Sequence, residues 1–181
     1  MATSVSMPDA VPREERRRRR EPWGRFALKA GLTLAGIVGF WAWFMAHFTV
    51  HIDPQETPSM GHRLWLVVHE ADYRPQRGEV AAFRSRGASP YFEDGVVMGK
   101  RVVATPGDWV GRLGDVVVHA RPGESGDILG VLHHASRVEP GVRRLPDGHW
   151  WVMGESPSSW DSRYWGAVQA DQWIGPAHPI F

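Results

Sequence analysis

Hydrophobic positions fall into two regimes along this chain. Ala30–Val50 is an apolar run of 21 residues with no formal charge, in which only Thr33, His47 and Thr49 are polar. After residue 58, apolar and β-branched residues come in short runs broken by glycine, proline and aspartate. The first regime predicts a helix able to span a bilayer, for which about 20 apolar residues suffice. The second predicts strands at 64–69, 79–83, 96–104, 108–110, 116–119, 128–132 and 149–153, since turn residues at short intervals mark hairpins. No helical period of useful length and no internal repeat occurs outside the apolar run. The expected fold class is therefore mainly β, an antiparallel β-sheet domain preceded by one N-terminal transmembrane helix. Residues 51–58 read as a polar linker, and the polar, glycine-rich 121–144 as an exposed insertion or hairpin.

Charge orients the helix. Residues 1–30 hold eight basic and four acidic side chains, although the whole chain carries a net charge of only +1. Basic residues flanking an apolar span favour the cytoplasmic side. This gives a cytoplasmic basic tail at 1–29, an anchor at 30–50 and an extracytoplasmic domain at 51–181. Trp41, Trp43 and Phe44 suit an interfacial belt at the far end. A cleaved leader would have a shorter apolar core and a small-residue exit. This run is too long for that and continues into His51-Ile52-Asp53-Pro54. Anionic lipid and topology account for Arg16 to Arg20, so no nucleic-acid partner is expected. The chain has no cysteine, which excludes disulfides and thiolate chemistry. His133-His134 would point to opposite faces of a strand, so no metal or other cofactor is expected.

One residue stands out chemically. Lys100 is the only lysine after residue 29, in a stretch that carries twelve arginines. It lies in the apolar run Val97-Met98-Gly99-Lys100-Arg101-Val102-Val103. Arginine stays protonated in proteins, whereas a buried lysine can lose its proton and act as a base. Val96, Val97, Met98, Val102 and Val103 are the residues expected to wall off the amine, with Arg101 on the opposite face of a regular strand.

Three segments together resemble the signal peptidase I family of membrane-anchored serine peptidases. Thr57-Pro58-Ser59-Met60 is similar to the box of the nucleophile. Gly99-Lys100-Arg101-Val102-Val103-Ala104-Thr105-Pro106-Gly107-Asp108 is similar to the lysine box. The stretch from Gly154 through Ser159-Trp160-Asp161-Ser162-Arg163 to Gly166 is similar to the last box. The resemblance implies a signal peptidase I-type fold and a Ser-Lys dyad, with Ser59 as nucleophile and Lys100 as general base. It further implies support from Thr57, Ser159, Asp161 and Arg163, with the Ser59 N–H and the Thr57 hydroxyl as oxyanion donors. Ser-Lys is a known variant of the nucleophile–base arrangement.

The motif continues Ser59-Met60-Gly61-His62, without the proline usual in general secretion, and the last box reads Glu155-Ser156-Pro157. Both features resemble the conjugative-transfer, TraF-type branch. The implied function is removal of signal or leader peptides from exported precursors, with a pilin precursor as substrate. The location implied is a bacterial inner membrane, the catalytic domain facing the periplasm. Met60, Leu64, Val80 and Phe83 are expected to bind substrate, through strand edges at 64–68 and 80–83 that accept an extended peptide. A catalytically inactive, membrane-anchored scaffold of a secretion or conjugation apparatus is the alternative, and the intact set Ser59, Lys100, Ser159 and Asp161 argues against it. A Ser-x-x-Lys penicillin-binding arrangement is excluded because residue 62 is histidine.

Overall fold

The computed structural model describes residues 22–180. The tail expected at 1–29 therefore lies mostly outside the described residues, its Arg16 to Arg20 included. Helix α1 covers Trp23–His47 and is long and apolar enough to cross a membrane. At 1.5 Å per residue its 25 residues reach about 37 Å. The last three residues of the predicted span begin a strand instead, so α1 stops earlier than the apolar run does.

The remaining elements are β1 Phe48–Ile52, β2 Leu64–Val68, β3 Val80–Arg84, β4 Val97–Ala104, β5 Trp109–Leu113, β6 Val116–Ala120, β7 Asp127–Val131, β8 Gly141–Arg144, β9 His149–Met153, α2 Ser162–Trp165, β10 Val168–Gln169 and β11 Trp173–Pro179. They build a seven-stranded sheet in the order β1-β2-β11-β3-β4-β9-β10 and a four-stranded sheet in the order β7-β6-β5-β8. Every strand pairing is antiparallel. All seven predicted strands are present. Four more are present that the sequence pattern missed: β1, β8, β10 and β11. The linker expected at 51–58 begins inside β1, and the insertion or hairpin expected at 121–144 supplies β7 and β8 to the smaller sheet.

Burial follows the period of two that a half-buried strand imposes. Along β4, Met98, Lys100, Val102 and Ala104 are buried and alternate with half-buried Val97, Gly99, Arg101 and Val103. Phe83, Met98, Val102, Trp150, Val152 and Val168 form the main core, with Trp165 and Trp173 packed against it. A second cluster of Met60, Trp65, Val67, Ala82 and Ala177 includes the residue next to Ser59. A third, with Val110, Val117, Leu145 and Trp151, includes the smaller sheet.

β11 reaches both neighbours by bending. Its first half pairs with β3 and its second half with β2, with a register shift between Trp173 and Gly175. A Cβ on Gly175 would fall 1.9 Å from the Val68 carbonyl oxygen, so only glycine fits the bend. Division of the ladder between two partners also accommodates Pro176 and Pro179, which carry no N–H.

Candidate active site

Ser59 and Lys100 line one cavity of about 240 Å³, with Asp53, Met60, Phe92 and Met98 among its other walls. Ser59 is buried in the loop between β1 and β2. Its backbone is held at both ends. The N–H donates to Asp53 Oδ2 at 3.2 Å, and the carbonyl oxygen accepts from the N–H groups of Glu155 at 2.7 Å and Ser156 at 3.3 Å. The segments around Ser59 and Glu155 are thereby joined across nearly a hundred residues of chain.

Lys100 is 2% exposed, and its amine donates to Ser159 Oγ at 2.8 Å. Among the described residues no hydrogen bond joins it to the Ser59 hydroxyl. Burial lowers the amine from its usual 10.5 to about 8, against the opposing pull of the Asp161 and Asp53 carboxylates; Arg163 adds to the lowering. Of the side chains expected to enclose it, Val96, Val97 and Met98 line the cavity. Val102 shares its face of β4, whereas Val103 lies on the other face and packs in the third cluster. Arg101 also points away, donating to the Gly78 carbonyl at 2.7 Å and pairing with Glu155.

Asp161 is fully buried and organises the last box. Its Oδ1 accepts from Arg163 Nε at 2.8 Å, and its Oδ2 from an Arg163 Nη at 2.9 Å and the Gly154 N–H at 3.0 Å. It also caps α2, accepting from the Arg163 N–H. Arg163 in turn donates to the Ser159 carbonyl oxygen at 3.1 Å. This two-point carboxylate–guanidinium pair fixes the loop that presents Ser159 to the lysine. Gly154 completes the fit: a Cβ there would lie 2.1 Å from Ser159 Oγ and 2.9 Å from the Ser59 carbonyl oxygen. Asp108, at the end of the lysine box, closes its own turn instead. Its Oδ2 accepts from the Thr105 N–H at 2.6 Å and pairs with Arg77.

The predicted residues therefore divide. Ser59, Lys100, Ser159, Asp161 and Arg163 form one connected arrangement, and Met60 lines the cavity. Thr57 is exposed and is not among the cavity walls. Leu64, Val80 and Phe83 do not line it either. Phe83 is fully buried in the main core, and β2 and β3 each have a partner on both sides, so neither offers an edge to a peptide. Residue alternation reports which face a side chain takes, but not which strands become neighbours. Two contributors escaped the sequence reading. Asp53 sat unremarked in the supposed linker, and Gly154 was read only as the start of a box. The acidic residue nearest before Ser59 but for Glu56 is the only signal that pointed to Asp53.

A family profile described as "Signal peptidase, peptidase S26" matches residues 24–181. The chain is 30% identical over 123 residues to a "Probable signal peptidase I-2" of Synechocystis sp. (strain ATCC 27184 / PCC 6803 / Kazusa), covering 64% of this chain and 54% of that protein. The matched part thus spans about half the length of that relative. A crystal structure of a signal peptidase I from Enterococcus faecalis V583 is similar at a TM-score of 0.37 and 21% identity, covering 57% of this chain and 97% of that one.

Proposed function

The chain belongs to the signal peptidase S26 family, and from that premise we propose that it is a membrane-anchored serine endopeptidase with Ser59 as nucleophile and Lys100 as general base. The observation that carries the reading is a buried lysine, lowered to about 8 and oriented by Ser159, in the same cavity as a buried serine. Ser59 Oγ attacks the scissile carbonyl carbon while its proton passes to the neutral amine. The carbonyl electron pair moves onto oxygen, and the oxyanion accepts the Ser59 N–H. Collapse breaks the C–N bond, and the Lys100 ammonium returns its proton to the leaving amine. Water, deprotonated by the same amine, then hydrolyses the ester. Asp161 and Arg163 hold Ser159, and Ser159 holds the base.

The substrate strand has a better docking edge than the two first expected. β4 pairs with β3 along Val97–Arg101, but with β9 only from Arg101 onward. Val96 and Val102 direct their backbone groups toward the β3 side. By alternation, Val97 and Gly99 direct theirs to the side that β9 leaves open, beside the cavity. An extended peptide pairing there brings its bond to Ser59, and the small cavity favours a small apolar side chain.

We assign the substrate to exported precursors, and among them to pilin-like precursors of conjugation. Ser59-Met60-Gly61 without a following proline and Glu155-Ser156-Pro157 support that narrower class. α1 is taken as the single span of an inner membrane, with its basic flank in the cytoplasm and the β domain in the periplasm. Co-expression with a pilin-like or a general signal-peptide precursor, read by mass spectrometry, tests all of this. Wild type is expected to shorten the pilin-like precursor, whereas Ser59→Ala and Lys100→Arg leave it intact. Arginine cannot deprotonate, so cleavage by Lys100→Arg would remove the lysine from its role. Processing of the general precursor alone would overturn the narrower assignment.

A further inference from the structure

We propose that Asp53 is a positioning residue that holds the site inactive until substrate binds: its carboxylate occupies the Ser59 N–H needed by the oxyanion and yields it only to a substrate carbonyl. The inference rests on the Ser59/Lys100 reading above and extends it to how the site is switched on. Asp53 follows β1 directly and lines the same cavity as Ser59 and Lys100. Its backbone N–H donates to the Arg63 carbonyl oxygen at 2.8 Å, which fixes the start of the loop. Oδ1 accepts from the Gln55 N–H at 3.0 Å and Oδ2 from the Ser59 N–H at 3.2 Å. A negatively charged oxygen thus stands where the reaction develops one.

The same carboxylate acts on the base. The charged groups facing the Lys100 amine are Asp161, Asp53 and Arg163. His51 also lines the cavity, and burial disfavours its charged form. Asp161 is engaged on both oxygens by Arg163. Asp53 accepts only from backbone N–H groups, so its charge is not neutralised by a cation in these contacts. An unneutralised carboxylate favours the ammonium form of a nearby lysine. Asp53 therefore fills the oxyanion donor and biases the base toward protonation. A substrate carbonyl that takes the Ser59 N–H frees Asp53 to turn to water, where its charge is screened. The donor and the amine become available in the same event.

The test uses the full-length protein in detergent, with Asp53→Asn and Asp53→Ser beside wild type. The chain has two lysines, Lys29 and Lys100, so the Lys100 amine can be titrated directly by NMR of lysine-labelled protein. The second readout is the pH dependence of kcat/KM on a precursor peptide. Both substitutions are expected to move the Lys100 midpoint and the acid limb of the profile to lower pH, and to raise kcat/KM at pH 7 about threefold or more. An unmoved Lys100 midpoint with a fall in kcat/KM would make Asp53 only a loop organiser and overturn the proposal. A lowered midpoint in a protein that cleaves no precursor would uphold the hold of Asp53 on the amine, and would count against the peptidase reading instead.

Discussion

Burial of Lys100 costs the fold stability while its amine is charged, and the proposed chemistry uses that same cost. The gap between its usual 10.5 and about 8 corresponds to about 3 kcal/mol favouring the neutral amine in the folded chain. Between pH 8 and 10.5 the unfolded chain binds this proton and the folded chain does not. Stability therefore rises with pH across that window. Compared with Lys100→Met, wild type is expected to gain up to about 3 kcal/mol between pH 8 and 10.5 in denaturant titrations. Parallel curves for the two proteins would mean that the amine is not depressed. The rate is expected to climb through the same midpoint, half-maximal near pH 8. At this scale much was legible beforehand. The lone lysine among arginines singled out Lys100, and the resemblance of three boxes to signal peptidase I pointed to Ser59, Ser159, Asp161 and Arg163, which the structure brings together with it. Asp53 was not, because a carboxylate in a polar stretch looks like any solvated one until its partner, a backbone N–H, is placed in space.

Among elements, the end of β9 matters most. The strand delivers the chain to Gly154, where Ser159 and the Ser59 carbonyl crowd the position a side chain would take. Gly154→Ala is expected to lose about 1–3 kcal/mol of stability, and to lower kcat by tenfold or more, since Ser159 and Ser59 must both shift. Thermal unfolding and the kcat on a precursor peptide check the two effects. Full stability with a full rate would show the contact to be yielding. Strands with clean alternation, such as β4, were legible in sequence. β1 was hidden in the tail of an apolar run that also reads as membrane span. β11 was hidden by Gly175, Pro176 and Pro179, which local propensity places outside a sheet. Its position comes from packing between β2 and β3, a tertiary fact.

For the whole molecule, the described residues divide into two compact units, one ending at Trp41 within α1 and one from Ala42 onward that holds the end of α1 and all the strands. The sequence predicts their order and chemistry, but the four-stranded sheet was not foreseen, because a polar strand such as β8 has no buried face to mark it. Orientation has a direct test. The chain lacks cysteine, so single cysteines report sidedness without background. In intact cells with a permeable outer membrane, Ser125→Cys is expected to react with an impermeant maleimide and Ser4→Cys to react only after lysis. The reverse pattern would invert the proposed topology.

The place of β11 in the middle of the larger sheet sets a timetable for biogenesis. The helix and the segment around Ser59 emerge from the ribosome long before residues 173–179, yet the edges of β2 and β3 that face each other stay unpaired until β11 arrives. Until then they present bare edges, which other chains can join. The carbonyl of Ser59 likewise waits for Glu155 and Ser156. A partly synthesised chain thus carries Ser59 and Lys100 without the contacts that join their segments, and the proposed arrangement forms only once residues 154–179 have been made.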